Sequence, residues 1–275
     1  MSTNRIRRFC AIDRIFHLSL MLTFIVQSAT GFGRLYSTTV WGEKLTRFLG
    51  GYETCLAIHK WVGVLMIAGF IVHTLYLLSR VDWKNPIGSI LGPDSLVPNL
   101  QDLRNLKQRI LWSLGLAPAP VFDRWTYYEK FDYWAVYWGL PLLAVTGLMA
   151  MYPLQTSAVL PGWSLNIALL LHRAEAILAV TYIFIVHFFV GHLRPASFPM
   201  NEAMFSGSMP VEEVMEEKSV WIERLRQEER LSRETAAPPA RWYRTVYLIF
   251  GFSVLAAGIY LLVNGIIYSR SINLH

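Results

Sequence analysis

Residues 57–73 read AIHKWVGVLMIAGFIVH, an apolar stretch with His59 near its start and His73 at its end. Apart from Lys60 and the two histidines, every side chain in it is apolar or absent, and the run continues to Leu78. About 20 such residues cross a bilayer as a helix, because hydrocarbon offers backbone N–H and C=O groups no partner but each other. An ionisable ring inside that helix is costly and is therefore a pointer to function.

Four further stretches share this character. The expected spans are about Ile15–Tyr36, Leu56–Leu78, Phe131–Tyr152, Leu165–Val190 and Val246–Tyr268. The chain is 54% hydrophobic and only 16% charged, against about 25% charged in an ordinary globular domain. Its charges crowd between the spans. The expected fold class is all-α and polytopic: a four-helix transmembrane bundle plus a fifth, C-terminal transmembrane helix. Arg5, Arg7 and Arg8 ahead of an apolar run also have the form of a leader, but His17 within the run favours a retained span.

The net charge of +6 reports orientation, and no nucleic-acid partner is expected. Arg5, Arg7, Arg8 and Arg14 precede the first span, and Arg80, Lys84, Arg104, Lys107, Arg109, Arg124 and Lys130 lie between the second and third. The opposite loops hold few basic residues (Arg34, Lys44, Arg47) or, after the third span, none. Positive loops stay inside, so the N-terminus is expected in the cytoplasm and the C-terminus in the periplasm. Three parts follow: 1–200, the transmembrane bundle; 201–241, a charged cytoplasmic segment; and 242–275, the fifth span. Within the second part, Val211–Arg233 reads as an amphipathic helix, either a solvated surface or a docking face. Ala236–Ala240 reads as a linker. Cys10 and Cys55 form neither CxxC nor CxxCH, so they are read as small apolar fillers, and covalent haem attachment is excluded.

Six of the seven histidines fall in or beside the spans: His17, His59, His73, His172, His187 and His192. The His59–His73 interval corresponds to roughly 21 Å of helix and nearly whole turns, and the His172–His187 interval to roughly 22 Å. With the second and fourth spans running the same way, His59 and His172 share an outer depth, and His73 and His187 an inner one. His17 also reaches the inner depth. Facing imidazoles at matched depth suit bis-histidine haem iron inside a helical bundle. A proton path or a bare metal site are the alternatives. A bare metal would want carboxylates or thiols, and only Glu175, one turn from His172, offers one. Two b haems are expected, or three if His73 serves a site of its own. Trp61, Phe70, Tyr76, Trp134, Tyr137, Trp138, Tyr182 and Phe184 could line a porphyrin or an interfacial belt. Gly63, Gly69 and Gly147 permit close approach. Arg14, Lys60 and Arg173 could pair with haem propionates or snorkel to headgroups. His192 reads as a loop or interface residue.

The stretches AIDRIFHLSLMLTFIVQSATGF, AIHKWVGVLMIAGFIVH, YEKFDYWAVYWGLPLLAVTGLMAMYP and LLLHRAEAILAVTYIFIVHFF together resemble the cytochrome b (gamma) subunits of membrane-bound formate dehydrogenases. Similar anchors serve hydrogenases and thiosulfate reductases. The resemblance covers roughly residues 9–200. It implies two b haems, the outer on His59 and His172 and the inner on His17 and His187; His73 has no counterpart in that family and competes with His17 for the inner iron by its depth alone. It further implies a menaquinone or ubiquinone site beside the inner haem and a bacterial inner-membrane location. The implied partners are the iron–sulfur or multihaem cytochrome subunits of a complex, besides membrane lipid. Tyr127, Tyr128, Glu129 and Asp132, opposite Arg14 and His17, are the candidate quinone-side groups, although an asparagine of the family is absent here. The His172–His187 interval is one residue longer than usual and calls for a bulge or tilt. HLRPASFPM, residues 192–200, is similar to a branch associated with multihaem cytochromes. No catalytic residue is expected in this chain itself. Electron transfer across the membrane is the expected role, with a non-redox anchor, or a hydrogenase or thiosulfate reductase subunit, as alternatives.

Overall fold

The computed structural model describes residues 5–194, 197–198 and 200–271. In chain order it runs β1 (Arg5–Arg7), α1 (Ala11–Leu35), α2 (Val40–Phe48), α3 (Tyr52–Arg80), α4 (Pro86–Leu91), α5 (Leu100–Ser113), α6 (Tyr127–Met151) and α7 (Pro153–Val159). There follow α8 (Trp163–Thr181), prolonged by π-helical turns over Tyr182–His187 and Phe189–Leu193, then α9 (Ala203–Ser206), β2 (Ser208–Pro210), α10 (Val211–Gln227), β3 (Thr235–Ala236) and α11 (Arg241–Ile267). α1, α3, α6, α8 with its π turns, and α11 are each long and apolar enough to cross a membrane. The polytopic all-α class holds, with three strands of two or three residues as the only departure among the described residues. The helices start two to five residues before the expected spans. Hydropathy marks only the hydrocarbon interior, whereas the helix continues into the interface. There Asp13, Glu53 and Glu129 in the first turns oppose the positive end of the helix dipole.

The fold divides into two compact units. In the unit formed by residues 1–14, 74–136 and 202–244, β1 is the middle strand of an antiparallel sheet, pairing Ile6 with Met209 on β2 and with Thr235 on β3. Its Ile6 packs in a core with Val214, Trp221, Ile222 and Leu225 of α10. The charged stretch from Val211 is therefore not a fully solvated helix: its apolar face is covered by the chain's own N-terminal strand, and the helix ends at Gln227, short of Arg233. Arg8 is 2% exposed. It donates to the Arg124 carbonyl at 2.6 Å and to Glu129 at 3.0 Å, and its guanidinium lies 4.8 Å and 5.0 Å from the Trp125 and Trp221 rings. Lys218 donates to the other Glu129 oxygen at 2.5 Å. Burial nevertheless pushes the Lys218 ammonium down to about 8, with Glu129 pulling the other way. Arg224 closes this side by binding Asp123 and Asp94.

The second unit comprises residues 15–73, 137–201 and 245–275. α11 presents Tyr247, Gly251, Leu255, Gly258, Leu261 and Gly265 as its buried stripe. Small residues there let helices approach closely, which matters in lipid, where packing rather than hydrophobic exclusion holds helices together. A Cβ on Gly265 would stand 3.0 Å from Phe32 of α1, and one on Gly258 would stand 2.7 Å from Phe188 and 2.9 Å from Phe184. The Tyr36 hydroxyl donates to the Gly265 carbonyl at 2.9 Å, and Trp41 of α2 stacks on Tyr268 with ring centres 5.9 Å apart. The fifth span thus packs against the first span and the π-helical part of the fourth. Outward-facing Trp61, Leu65, Trp138 and Ile185 remain exposed, as lipid-facing side chains would be.

Candidate functional site

All six histidines in or beside the spans are half-buried, and five of them meet as rings. His59 on α3 faces His172 on α8, with ring centres 6.2 Å apart and planes at 82°. His17 on α1 faces His187 in the π-helical part of the fourth span, at 6.4 Å and 41°. His192 adds a third ring to this layer, 6.2 Å from His187. His73 packs edge-on against Phe16 at 4.6 Å.

The His59–His172 layer has its supporting contacts in view. The Thr30 hydroxyl on α1 lies 2.9 Å from His59 Nδ1, and the Thr146 hydroxyl on α6 lies 3.0 Å from His172 Nδ1. Gln27 donates to the His59 carbonyl at 2.9 Å, and a Cβ on Gly63 would strike its amide at 2.8 Å. Gly147 lies against His172, where a Cβ would meet Cε1 at 3.1 Å, and Gly31 lies against His59 at 3.5 Å. Gly69, expected to serve close approach, has no described atom within 4 Å of such a Cβ. Glu175 points its carboxylate at Gly139 of α6, 2.8 Å from where a Cβ would sit. Arg34, one turn beyond Thr30, holds a buried Nε with no hydrogen-bond partner among the described residues.

These donors fit an iron porphyrin. Two imidazoles bonded at roughly 2 Å to opposite sides of one metal, each with its ring centre roughly 1 Å behind the bonding nitrogen, have centres about 6 Å apart. Both facing pairs have that separation. Among the described residues no group of three or more His, Cys, Asp or Glu side chains suits a bare metal ion. In the second layer the buried Nδ1 of His17 has no hydrogen-bond partner among the described residues, so His17 differs in its support from His59 and His172.

The extra residue between His172 and His187 coincides with the π turns. An inserted residue accommodated as a π-bulge leaves the following helix in its former phase. The same turns account for His192. A five-residue interval puts two side chains on different faces of an α-helix, but i and i+5 are hydrogen-bonded neighbours in a π-helix. The spacing from His187 to His192 therefore reads as off-face under α geometry.

The other expected residues take separate places. Arg14 reaches the Ser206 carbonyl at 3.4 Å. Lys60 and Arg173 are half-buried beside His59 and His172 in sequence. Tyr128 donates to Glu217 at 2.5 Å, and Glu129 is engaged by Arg8 and Lys218. Tyr127 stacks edge-on with Tyr128. Pro195, Ala196 and Pro199 of the 192–200 stretch lie outside the described residues. Thr30, Thr146, Gln27 and Arg34 stand at the site without having been expected there. The signal available for the first two is the dipeptide Thr-Gly, present at 30–31 and again at 146–147.

Residues 8–207 match the family described as prokaryotic cytochrome b561. The chain is also 30% identical over 188 residues to the cytochrome b556 subunit of formate dehydrogenase from Haemophilus influenzae, an alignment covering 68% of this chain and 70% of that one. α11 lies beyond the residues that match the family.

Proposed function

The chain belongs to the prokaryotic cytochrome b561 family, and we propose that it carries electrons across a bacterial inner membrane on two b haems, between a quinone and a periplasmic redox partner. The carrying observation is the two facing histidine pairs, with ring centres 6.2 Å and 6.4 Å apart. In this reading His59 and His172 would hold the outer haem, and His17 and His187 the inner one. When bound, the haems supply one-electron redox chemistry. The protein's part is ligation, spacing and surroundings. Along α3 and the fourth span the two layers are separated by roughly 20 Å. Arg34, Lys60 and Arg173 are the cations available to propionates at the outer layer, and Arg14 at the cytoplasmic end.

The positive loops support a cytoplasmic N-terminus and a periplasmic C-terminus, with residues 1–200 as the cytochrome domain, 201–241 as a cytoplasmic segment and 242–275 as the fifth span. Menaquinone or ubiquinone would exchange on the cytoplasmic side, with Tyr127 and Asp132 at the start of α6 as protonatable candidates. Glu129 is better read as a partner of Arg8 and Lys218. The partner in this reading is an iron–sulfur or multihaem cytochrome subunit of a membrane complex; the similar Haemophilus influenzae protein is named as a subunit of formate dehydrogenase.

A reduced-minus-oxidised spectrum with pyridine haemochrome quantification on the purified chain tests the reading. Two b haems per chain are expected, with one lost in His17→Ala and both kept in His73→Ala. Loss in His73→Ala alone would move the inner ligand to α3. A chain without haem would overturn the reading and leave a structural anchor.

A further inference from the structure

The same chemistry recurs on both sides of the His59–His172 pair, from two different helices. Thr30 and Gly31 of α1 serve His59, and Thr146 and Gly147 of α6 serve His172. Each threonine hydroxyl has one hydrogen. That of Thr30 is directed to the Val26 carbonyl at 2.7 Å, and that of Thr146 to the Leu142 carbonyl at 2.7 Å. A hydroxyl that donates there meets the imidazole as an acceptor, so with this arrangement the 2.9 Å and 3.0 Å contacts put the proton on Nδ1. Nε2 of each ring is then a lone pair free for a metal. Each following glycine leaves the space beside Cε1 open. A methyl at Gly147 would press His172 at 3.1 Å, while one at Gly31 would be in ordinary contact with His59 at 3.5 Å.

We propose that the two Thr-Gly pairs are positioning elements for the outer haem: each threonine fixes the tautomer and direction of its histidine, and Gly147 leaves room for the His172 ring to take up its ligating pose. The inference rests on the ligation reading above, and goes beyond it by assigning roles to residues that touch no cofactor. A ligating imidazole whose far N–H is held by an acceptor is a more basic ligand. That favours ferric iron, so the two hydroxyls also hold the outer haem at a lower potential than it would otherwise have. His17, whose Nδ1 has no such partner among the described residues, lacks this influence.

The test is a redox titration followed optically and by low-temperature electron paramagnetic resonance, on the full chain with haem bound. Thr30→Val and Thr146→Val keep the side-chain volume and remove the acceptor; Thr30→Ser and Thr146→Ser restore it. Thr23→Val is the control, since Thr23 caps only the Ser19 and Leu20 carbonyls of its own helix. The expected result is one of two midpoints moving to more positive potential in each valine variant, with a changed ferric signal for that haem, and wild-type values in the serine variants and in Thr23→Val. Loss of one haem in a valine variant with retention in its serine counterpart supports the same role. Two bound haems with unchanged midpoints and signals overturn the inference and leave the ligand assignment standing. Loss in serine and valine variants alike also overturns it, because the effect would then follow side-chain packing. Absence of haem from the unsubstituted chain would instead overturn the ligation reading itself.

Discussion

Gly258 offers a quantitative test of whether the fifth span supports the histidine layers. A methyl there would lie 2.7 Å from Phe188 Cε2, with Phe184 Cδ1 and Cε1 at 2.9 Å and 3.0 Å. Aromatic carbons are stiff neighbours, and Phe184 and Phe188 are themselves only 4% and 6% exposed. Either α11 withdraws or both rings leave their rotamers, an overpacking cost of about 1–3 kcal/mol. Against it stands the gain from replacing glycine by alanine within a helix, roughly 0.5–1 kcal/mol. Gly258→Ala should therefore lose up to about 2.5 kcal/mol net. Gly69→Ala supplies the reference, because its methyl meets no described atom within 4 Å and only the helix gain remains. The difference between the two variants isolates the clash. Thermal unfolding in detergent, followed by circular dichroism, measures it. The Phe188 ring also lies 6.5 Å from His187, so the haem assigned to His17 and His187 should shift spectrally in Gly258→Ala while the other does not. A Gly258→Ala chain as stable as Gly69→Ala, with an unchanged spectrum, would refute the packing argument.

Three further outcomes are expected. The folded unit holds the Lys218 proton at about 8 rather than 10.5, so the charged form costs up to about 3 kcal/mol. That cost is fully present below pH 8 and fades as pH rises towards 10.5. Unfolding free energy should rise over this window in the wild type and lose most of that slope in Lys218→Met; equal slopes would contradict the burial argument. Arg8→Gln removes a buried cation from the Arg124 carbonyl, Glu129 and two indole rings. It should cost about 3–5 kcal/mol, the range for breaking a buried ion pair, and expose α10 to limited proteolysis. Deleting Val186 removes one residue from the π-helical stretch. If that residue is the bulge, the segment becomes α-helical and the His17–His187 haem survives in the spectrum, whereas its loss would mean that the π turns do not set the phase.

The spans could be read from sequence because the bilayer imposes one crude requirement, a long apolar run, which no neighbouring residue can alter. Their ends were harder to read, since Asp13, Glu53 and Glu129 look like loop residues by hydropathy yet occupy first helical turns. The sheet had no legible signal. β1 is three residues long, and Arg5 and Arg7 conceal a strand whose single core contribution is Ile6. Likewise α10 shows its charges in sequence and hides the fact that Val214, Trp221, Ile222 and Leu225 share a face, covered by a strand some 200 residues away.

At the site, what could be foreseen was whatever depends on position along one helix. The fourteen-residue interval from His59 to His73 puts two rings on one face of α3, but which ring meets a partner depends on a neighbouring helix. There His73 meets Phe16, while His17, one residue further along α1, meets His187. The π turns extend the argument. They add a residue between His172 and His187 without changing the facing side, and they bring His192 beneath His187, which counting at 3.6 residues per turn places elsewhere. The Thr-Gly pairs fall between these cases. The dipeptide is plain in the sequence at both 30–31 and 146–147, but its meaning lies across two helix interfaces. A threonine within a span ordinarily satisfies its own helix through the carbonyl four residues back. Only when the hydroxyl is seen to do that and to face a histidine as well does the repeat become a statement about proton position.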